Sequence, residues 1–221
     1  MYNILCFGDS NTFGYDAIED GRFPWGVRWT SLVQEMLGES YRVIEEGMGG
    51  RTTVWDDPVE NFLSGKSYLN ACLESHWPLD LVLIMLGTND LKVWFGQGAY
   101  GIACGVERLV CMTRDYLAKL QTQAPEILIV SPIEVGEGIV GHPYEHAMGG
   151  KTAVERSREF PRYYRLIAKR QGCHYMAASE AAAPCKEDSI HLDADGHRKL
   201  AEAVVKKIRE IAQECEWESG E

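Results

Sequence analysis

Short apolar runs alternate with stretches of helical period from one end of the chain to the other. Residues 2–7, 41–46, 81–86, 127–130 and 173–176 are brief and rich in Leu, Ile, Val and Tyr, and the first three end at Gly8, Gly47 and Gly87, which predicts five strands. Between them, residues 29–37 repeat apolar positions at helical spacing and stop at Gly38. Ile102, Val106, Leu109, Val110, Thr113, Leu117 and Leu120 mark a longer helix, and Leu200, Val204, Ile208 and Ile211 the last one. A strand such as LVLIML is apolar on both faces and needs cover on both, so the β-α alternation predicts a three-layer α/β/α sandwich around a five-stranded parallel sheet. Residues 134–150, rich in Gly and holding His142, Pro143, Tyr144 and His146, show no clear period. A loop of that length in a compact domain has a function or an interface.

With 221 residues the chain is expected to form a single domain over 1–221, with a flexible tail at 214–221. An apolar share of 45% is sufficient for one packed core. The formal charge of -11, with no basic cluster interleaved with aromatics, excludes nucleic acid as a partner. The chain enters an apolar run at once, without a basic leader, and no apolar stretch is long enough to span a bilayer, so a soluble, cytoplasmic protein without a membrane partner is expected. Seven cysteines with no CxxC pair, most of them in apolar runs (Cys6, Cys72, Cys104, Cys111, Cys173), predict reduced, buried thiols rather than a disulfide frame or a zinc knuckle.

In a parallel sheet, ligands bind beyond the carboxyl ends of the strands, so the residues after each strand carry the information. Gly8-Asp9-Ser10-Asn11-Thr12 follows the first run, Gly47-Met48-Gly49-Gly50-Arg51 the second, and Gly87-Thr88-Asn89-Asp90 the third. Asp188-Ser189-Ile190-His191 comes after the fifth. Together they offer a hydroxyl, a base, a carboxylate and oxyanion donors, the parts of acyl-transfer chemistry.

In this order the four segments resemble the sequence blocks of the SGNH (GDSL) hydrolases, over nearly the whole chain. ILCFGDSNTFGYD matches the first block and carries the family's nucleophile on Ser10. The second-block glycine falls on Gly50, the Asn of LGTND on Asn89, and the Asp-x-x-His of DSIHLDADGH on Asp188 and His191. VRWTSLVQEML, VIEEGMGGRTT and LGTNDLK are most similar to the arylesterase and acyltransferase branch. The resemblance implies a flavodoxin-like sheet, a serine esterase acting on small acyl groups without cofactor or metal, some acyl transfer to alcohols, and assembly into a homo-oligomer. Related branches deacetylate sugars, which makes a carbohydrate acetyl esterase the main alternative.

Physical chemistry supports the same roles. A serine hydroxyl is a weak nucleophile until a base takes its proton, and His191 is the candidate base. Asp188, three residues earlier, can hold the imidazole within one turn. The oxyanion needs fixed donors, for which the backbone N–H groups of Ser10 and Gly50 and the amide of Asn89 are candidates. Tyr15, Trp25, Trp55, Trp94 and Phe95 lie near these segments in sequence and are candidates for a narrow substrate pocket, while Trp29 fits either pocket or core. Residues 134–150 are the expected site of an oligomer contact or an alcohol-side wall.

Simpler roles compete at several positions. Ser10 and Asn89 are each suited to capping a turn, Asp9 to bracing the turn around Ser10, Asp90 to capping, Arg51 to an ion pair, and His197 to packing at the start of the last helix. Gly65-Lys66-Ser67 resembles the end of a phosphate loop, but Glu60 occupies the position of its first glycine. No Gly-x-Ser-x-Gly elbow is present, which removes the α/β-hydrolase fold. His191, Asp193, Asp195 and His197 within seven residues support a rival, metal-dependent hydrolase, although that reading leaves Ser10, Gly50 and Asn89 without a purpose. A non-catalytic binding domain is a further rival, against which stands a full set of Ser, Gly, Asn, Asp and His.

Overall fold

The computed structural model describes residues 1–60 and 63–217. Strands β1 (Tyr2–Gly8), β2 (Tyr41–Gly47), β3 (Leu81–Met85), β4 (Glu126–Ser131) and β5 (His174–Ala177) form one sheet in the order β2-β1-β3-β4-β5, every pairing parallel. The long helices are α1 (Trp29–Leu37), α2 (Gly65–His76), α3 (Ala99–Leu117), α4 (Lys151–Arg158), α5 (Phe160–Gln171) and α6 (Ala194–Glu214). The five strands stand where the apolar runs predict them, β5 displaced by one residue, and the architecture is the expected three-layer sandwich. Helices α2, α4 and α5 were not anticipated, nor was the small antiparallel hairpin of Tyr15–Asp16 with Gly21–Arg22.

Alternation along each strand divides the core in two. Leu5, Phe7, Val82, Ile84, Ile127 and Ile129 face α2, α3 and α5, whereas Ile4, Cys6, Leu81, Leu83, Leu128 and Val130 face α1 and α6. Trp29, fully buried on α1, belongs to the second core rather than to a pocket. Of the tail expected to be flexible, Trp217 is buried and stacks on Tyr2, ring centroids 4.8 Å apart, because its indole covers the edge of that core. Residues 218–221 lie outside the described residues. Cys6 and Cys72 are buried as expected, but Cys104, Cys111 and Cys173 are only half-buried; all seven thiols are free. Among the described residues no helix is long and apolar enough to cross a membrane.

Because β1 lies between β2 and β3, the strand order reverses beside it and leaves a crevice at its carboxyl end. Glycines let the chain fill that crevice closely. Gly47, paired with Gly8, lies so near the turn after β1 that a Cβ there would stand 2.0 Å from the backbone nitrogen of Phe13. The unpatterned loop 134–150 folds into two short turns, Glu137–Ile139 and Glu145–Met148, which bury Ile139 and Met148 and so anchor it to the body of the domain.

Candidate active site

Beyond β1 the chain makes a single helical turn, Ser10–Phe13, capped by Asp9, whose Oδ1 accepts from the N–H of Asn11 at 3.0 Å. Ser10 is first in that turn, so no carbonyl within the turn is placed to accept its N–H. Burial pushes the Asp9 carboxyl up to about 6, its Oδ2 having no hydrogen-bond partner among the described residues, so Asp9 braces the turn as expected. Asn11 ties this turn to the loop before α6: its Nδ2 donates to the carbonyl of Ile190 at 3.3 Å, and its Oδ1 accepts from the N–H of Leu192 at 2.9 Å. A side chain that binds both neighbours of His191 fixes the imidazole relative to Ser10.

On that second loop, Ser189 takes a left-handed conformation (φ 62), and the N–H groups of Ile190 and His191 both turn back to Asp188 Oδ1, each at 2.9 Å. The buried Cys185 thiol, pushed up to about 11 by burial and therefore protonated, donates to the same oxygen at 3.3 Å. Oδ2 remains for His191 Nδ1, with which it is hydrogen-bonded, and His191 Nε2 lies 2.8 Å from Ser10 Oγ. Burial raises the affinity of Asp188 for a proton, but the bond to His191, its charge and the backbone N–H groups outweigh it and hold the carboxyl below the usual carboxylate range. An ionised Asp188 accepts from Nδ1–H, which leaves Nε2 as the acceptor for the serine hydroxyl.

Two further elements complete the cleft. Met48 to Arg51 form a turn closed by an Arg51 N–H to Met48 carbonyl bond of 3.2 Å. Gly50 sits in it at φ +75, where a Cβ would be strained and would meet Leu63 at 2.7 Å. After β3, Asn89 donates one amide N–H to the carbonyl of Arg51 at 3.2 Å, which orients the amide and leaves its second N–H for a ligand. Ser10, Gly50, Asn89 and His191 line one cleft of about 330 Å³, closed on its apolar side by Ala147, Met148 and Ile190. Tyr15 lines it too, its ring 4.5 Å from the His191 ring and its hydroxyl bound to Asp20. The structure thus brings together Ser10, Asp188, His191, Gly50, Asn89 and Tyr15.

Residues 6–199 match the GDSL-like lipase/acylhydrolase family. The chain belongs to that family. It is a carboxylic ester hydrolase, most similar to the family's arylesterase branch. Among the solved structures similar to it are three at 36% identity and a TM-score of 0.88 each. Two are a carbohydrate acetylesterase family member from Sinorhizobium meliloti, covering 95% of this chain and 98% of that one, and a carbohydrate acetylesterase from the same organism, covering 96% and 100%. The third is the native aryl esterase of M. smegmatis, covering 95% and 99%. Comparison with curated proteins gave no match.

Other expected residues of this family member stand elsewhere. Trp25, Trp55, Trp94 and Phe95 are not among the residues that line the cleft: Trp25 is exposed and lies under Arg28, while the Trp94 and Phe95 rings meet at a tilt, centroids 6.3 Å apart. Arg51 is buried and donates to the carbonyls of Gly8 and Glu46 over the Phe7 ring, so it joins the ends of β1 and β2, and among the described residues it forms no ion pair. Asp90 is more than a cap, since its carboxylate takes the N–H and hydroxyl of Thr53 and fastens the second block to the third. His197 is structural: its Nδ1 accepts from the Trp29 N–H at 3.2 Å, and burial pushes it down to about 4. The rival metal cluster does not converge, because Asp193 caps α6 through the N–H of Gly196, Asp195 pairs with Arg198 and Lys199, and both nitrogens of His191 are engaged. Asp20, Glu60 and Lys92 line the cleft and were not foreseen, while Tyr144, Ala147 and Met148 come from the segment 134–150 that was expected to supply a wall or an oligomer contact. Lys92 is paired with Asp57 at 3.0 Å and with Glu60 at 3.2 Å.

Proposed function

We propose that the protein is a serine esterase that cleaves short-chain carboxylic esters through an acyl-enzyme. The observation that carries this reading is the linear relay of Ser10 Oγ, His191 and the ionised Asp188 at the floor of the cleft. Ser10 attacks the ester carbonyl as its proton passes to His191 Nε2, and Asp188 stabilises the resulting imidazolium. Negative charge that gathers on the carbonyl oxygen is met by the N–H groups of Ser10 and Gly50 and by the free amide N–H of Asn89. His191 then returns the proton to the departing alcohol, and water or a second alcohol, deprotonated by the same imidazole, releases the acyl group. This sequence needs no cofactor or metal.

A small acyl group is favoured by the size of the cleft, whose aliphatic wall is formed, among the described residues, by Ala147, Met148 and Ile190. On its other side Asp20, Glu60 and Lys92 present charged groups, an observation that favours a hydroxyl-rich alcohol such as an acetylated sugar as the second reading. The loop 134–150 supplies Tyr144, Ala147 and Met148 to the wall, and we place any contact between copies of the chain beside it; a monomeric mass by light scattering removes that contact.

Hydrolysis of p-nitrophenyl acetate and butyrate by wild type and Ser10→Ala, with and without EDTA, tests the proposal. Activity that favours acetate, ignores the chelator and disappears in the variant is expected. Activity that survives Ser10→Ala overturns the serine mechanism.

A further inference from the structure

At the edge of the sheet opposite the cleft, the amino ends of β4 and β5 meet the last turn of α6. Glu126 opens β4, His174 opens β5, Glu214 ends α6 and Cys215 follows it. The β4–β5 register pairs Leu128 with His174, so Glu126, two residues before Leu128, lies on the same face of the sheet as both. That is the face covered by α6, against whose core Cys215 packs. As a result His174 Nε2 lies 3.0 Å from Glu126 Oε2, and its Nδ1 lies 3.7 Å from Glu214 Oε2. One ligand atom each from Glu126, His174 and Cys215 fall within 4.8 Å of one another.

We propose that Glu126, His174 and Cys215 form a binding site for a zinc-class divalent cation, with Glu214 holding the imidazole in place. Thiolate, imidazole and carboxylate are the ligand types that zinc takes, and around a tetrahedral ion such atoms stand about 3.3–3.6 Å apart. Half-buried side chains close the remaining gap by small rotations, and water fills the fourth position. Glu214 on Nδ1 leaves Nε2 for the ion, the usual arrangement of a carboxylate behind a metal-bound histidine. On binding, Cys215 loses its proton to solvent, its sulfur bonds to the ion, and water leaves the ion. Among the described residues no lysine or arginine pairs with any of these four side chains. Glu46, Cys72 and His76 are grouped as tightly, but there the guanidinium of Arg51 lies against Tyr68 and the Glu46 backbone and supplies a fixed positive charge that opposes a cation.

Zinc chloride titrated into the reduced, metal-free full chain against a chromophoric chelator tests the site, with cobalt chloride as a second probe of thiolate ligation. One zinc ion per chain is expected, with a thiolate-to-cobalt charge-transfer band and a rise in Tm of about 5–10 °C at a hundredfold excess over Kd. Cys215→Ser and His174→Ala should abolish the band and weaken zinc by at least about a hundredfold, and Glu214→Gln by about ten- to a hundredfold. His76→Ala should change neither, and ester hydrolysis should be the same in all four variants. Absence of stoichiometric binding overturns the proposal. So does binding that Cys215→Ser leaves intact, or binding that is lost in His76→Ala.

Discussion

Replacing Asn89 by Ala removes the one proposed oxyanion donor that does not belong to the backbone. In the free protein its amide is oriented by the 3.2 Å bond to the carbonyl of Arg51, so the second N–H stands ready before substrate arrives and its loss is not made up by rearrangement. A pre-oriented donor of this kind is worth about 3–4 kcal/mol in the transition state, so kcat should fall by about a hundred- to a thousandfold. KM should change little, because the neutral carbonyl of the bound ester draws far less on the donor than the oxyanion does. The Arg51 carbonyl also loses a partner, at a cost of about 1 kcal/mol in stability, and a melting curve separates that loss from the effect on rate. Initial rates for p-nitrophenyl acetate over a range of concentrations provide both constants. A fall in kcat of less than about tenfold, or an effect confined to KM, refutes the assignment of Asn89 to the oxyanion.

Asp188→Asn keeps the shape of the loop but presents an amide to His191 Nδ1, favouring the tautomer that cannot accept from Ser10; a loss in kcat of about ten-thousandfold is expected, and a loss under a hundredfold contradicts the relay. Asn11→Ala leaves the N–H of Leu192 unpartnered and frees the His191 loop, so it should lower stability by about 1–3 kcal/mol in denaturant melts and lower kcat as well, whereas unchanged activity shows that the loop holds itself. The Asp90 carboxyl, raised to about 7 by burial, binds its proton more strongly folded than unfolded. Its contribution to stability is therefore present below its ordinary value near 4 and is lost as the pH rises towards 7. The Tm of Asp90→Asn relative to wild type should rise between pH 5 and pH 8, and a difference that does not vary with pH refutes this.

The inner strands were legible because they are apolar on both faces, and only burial under helices on both sides explains a run such as Leu81 to Leu86. Helices α2 and α5 were not, because charged and polar residues interrupt their apolar pattern and a few positions such as Leu69, Leu73, Phe160 and Tyr164 make their core contacts. Ser10, Gly50 and Asn89 could be placed at one edge from sequence because each follows closely on a strand, whereas Asp188 and His191 stand well beyond β5, in the loop before α6, and their proposed partnership rested on their own short spacing. Their meeting depends on the register of a parallel sheet, which brings every carboxyl end to one edge. The rest of the cleft wall was harder to foresee: Asp20, Glu60 and Lys92 lie in irregular segments with no period to betray their direction. Trp25, Trp55, Trp94 and Phe95 misled for the same reason, unlike Tyr15, since closeness in sequence does not set which way a ring points. Glu126, His174 and Cys215, up to 89 residues apart in sequence, meet only once β4, β5 and α6 are in place.

Covalent capture at the proposed nucleophile tests the central claim most directly. Treated with a diethyl organophosphate, the protein should gain one phosphoryl group per chain, carried by the peptide that contains Ser10 and seen by mass spectrometry. The adduct should be absent from Ser10→Ala and slow to form in His191→Ala. An adduct on any other residue, or none from a preparation that hydrolyses p-nitrophenyl acetate, contradicts the serine mechanism.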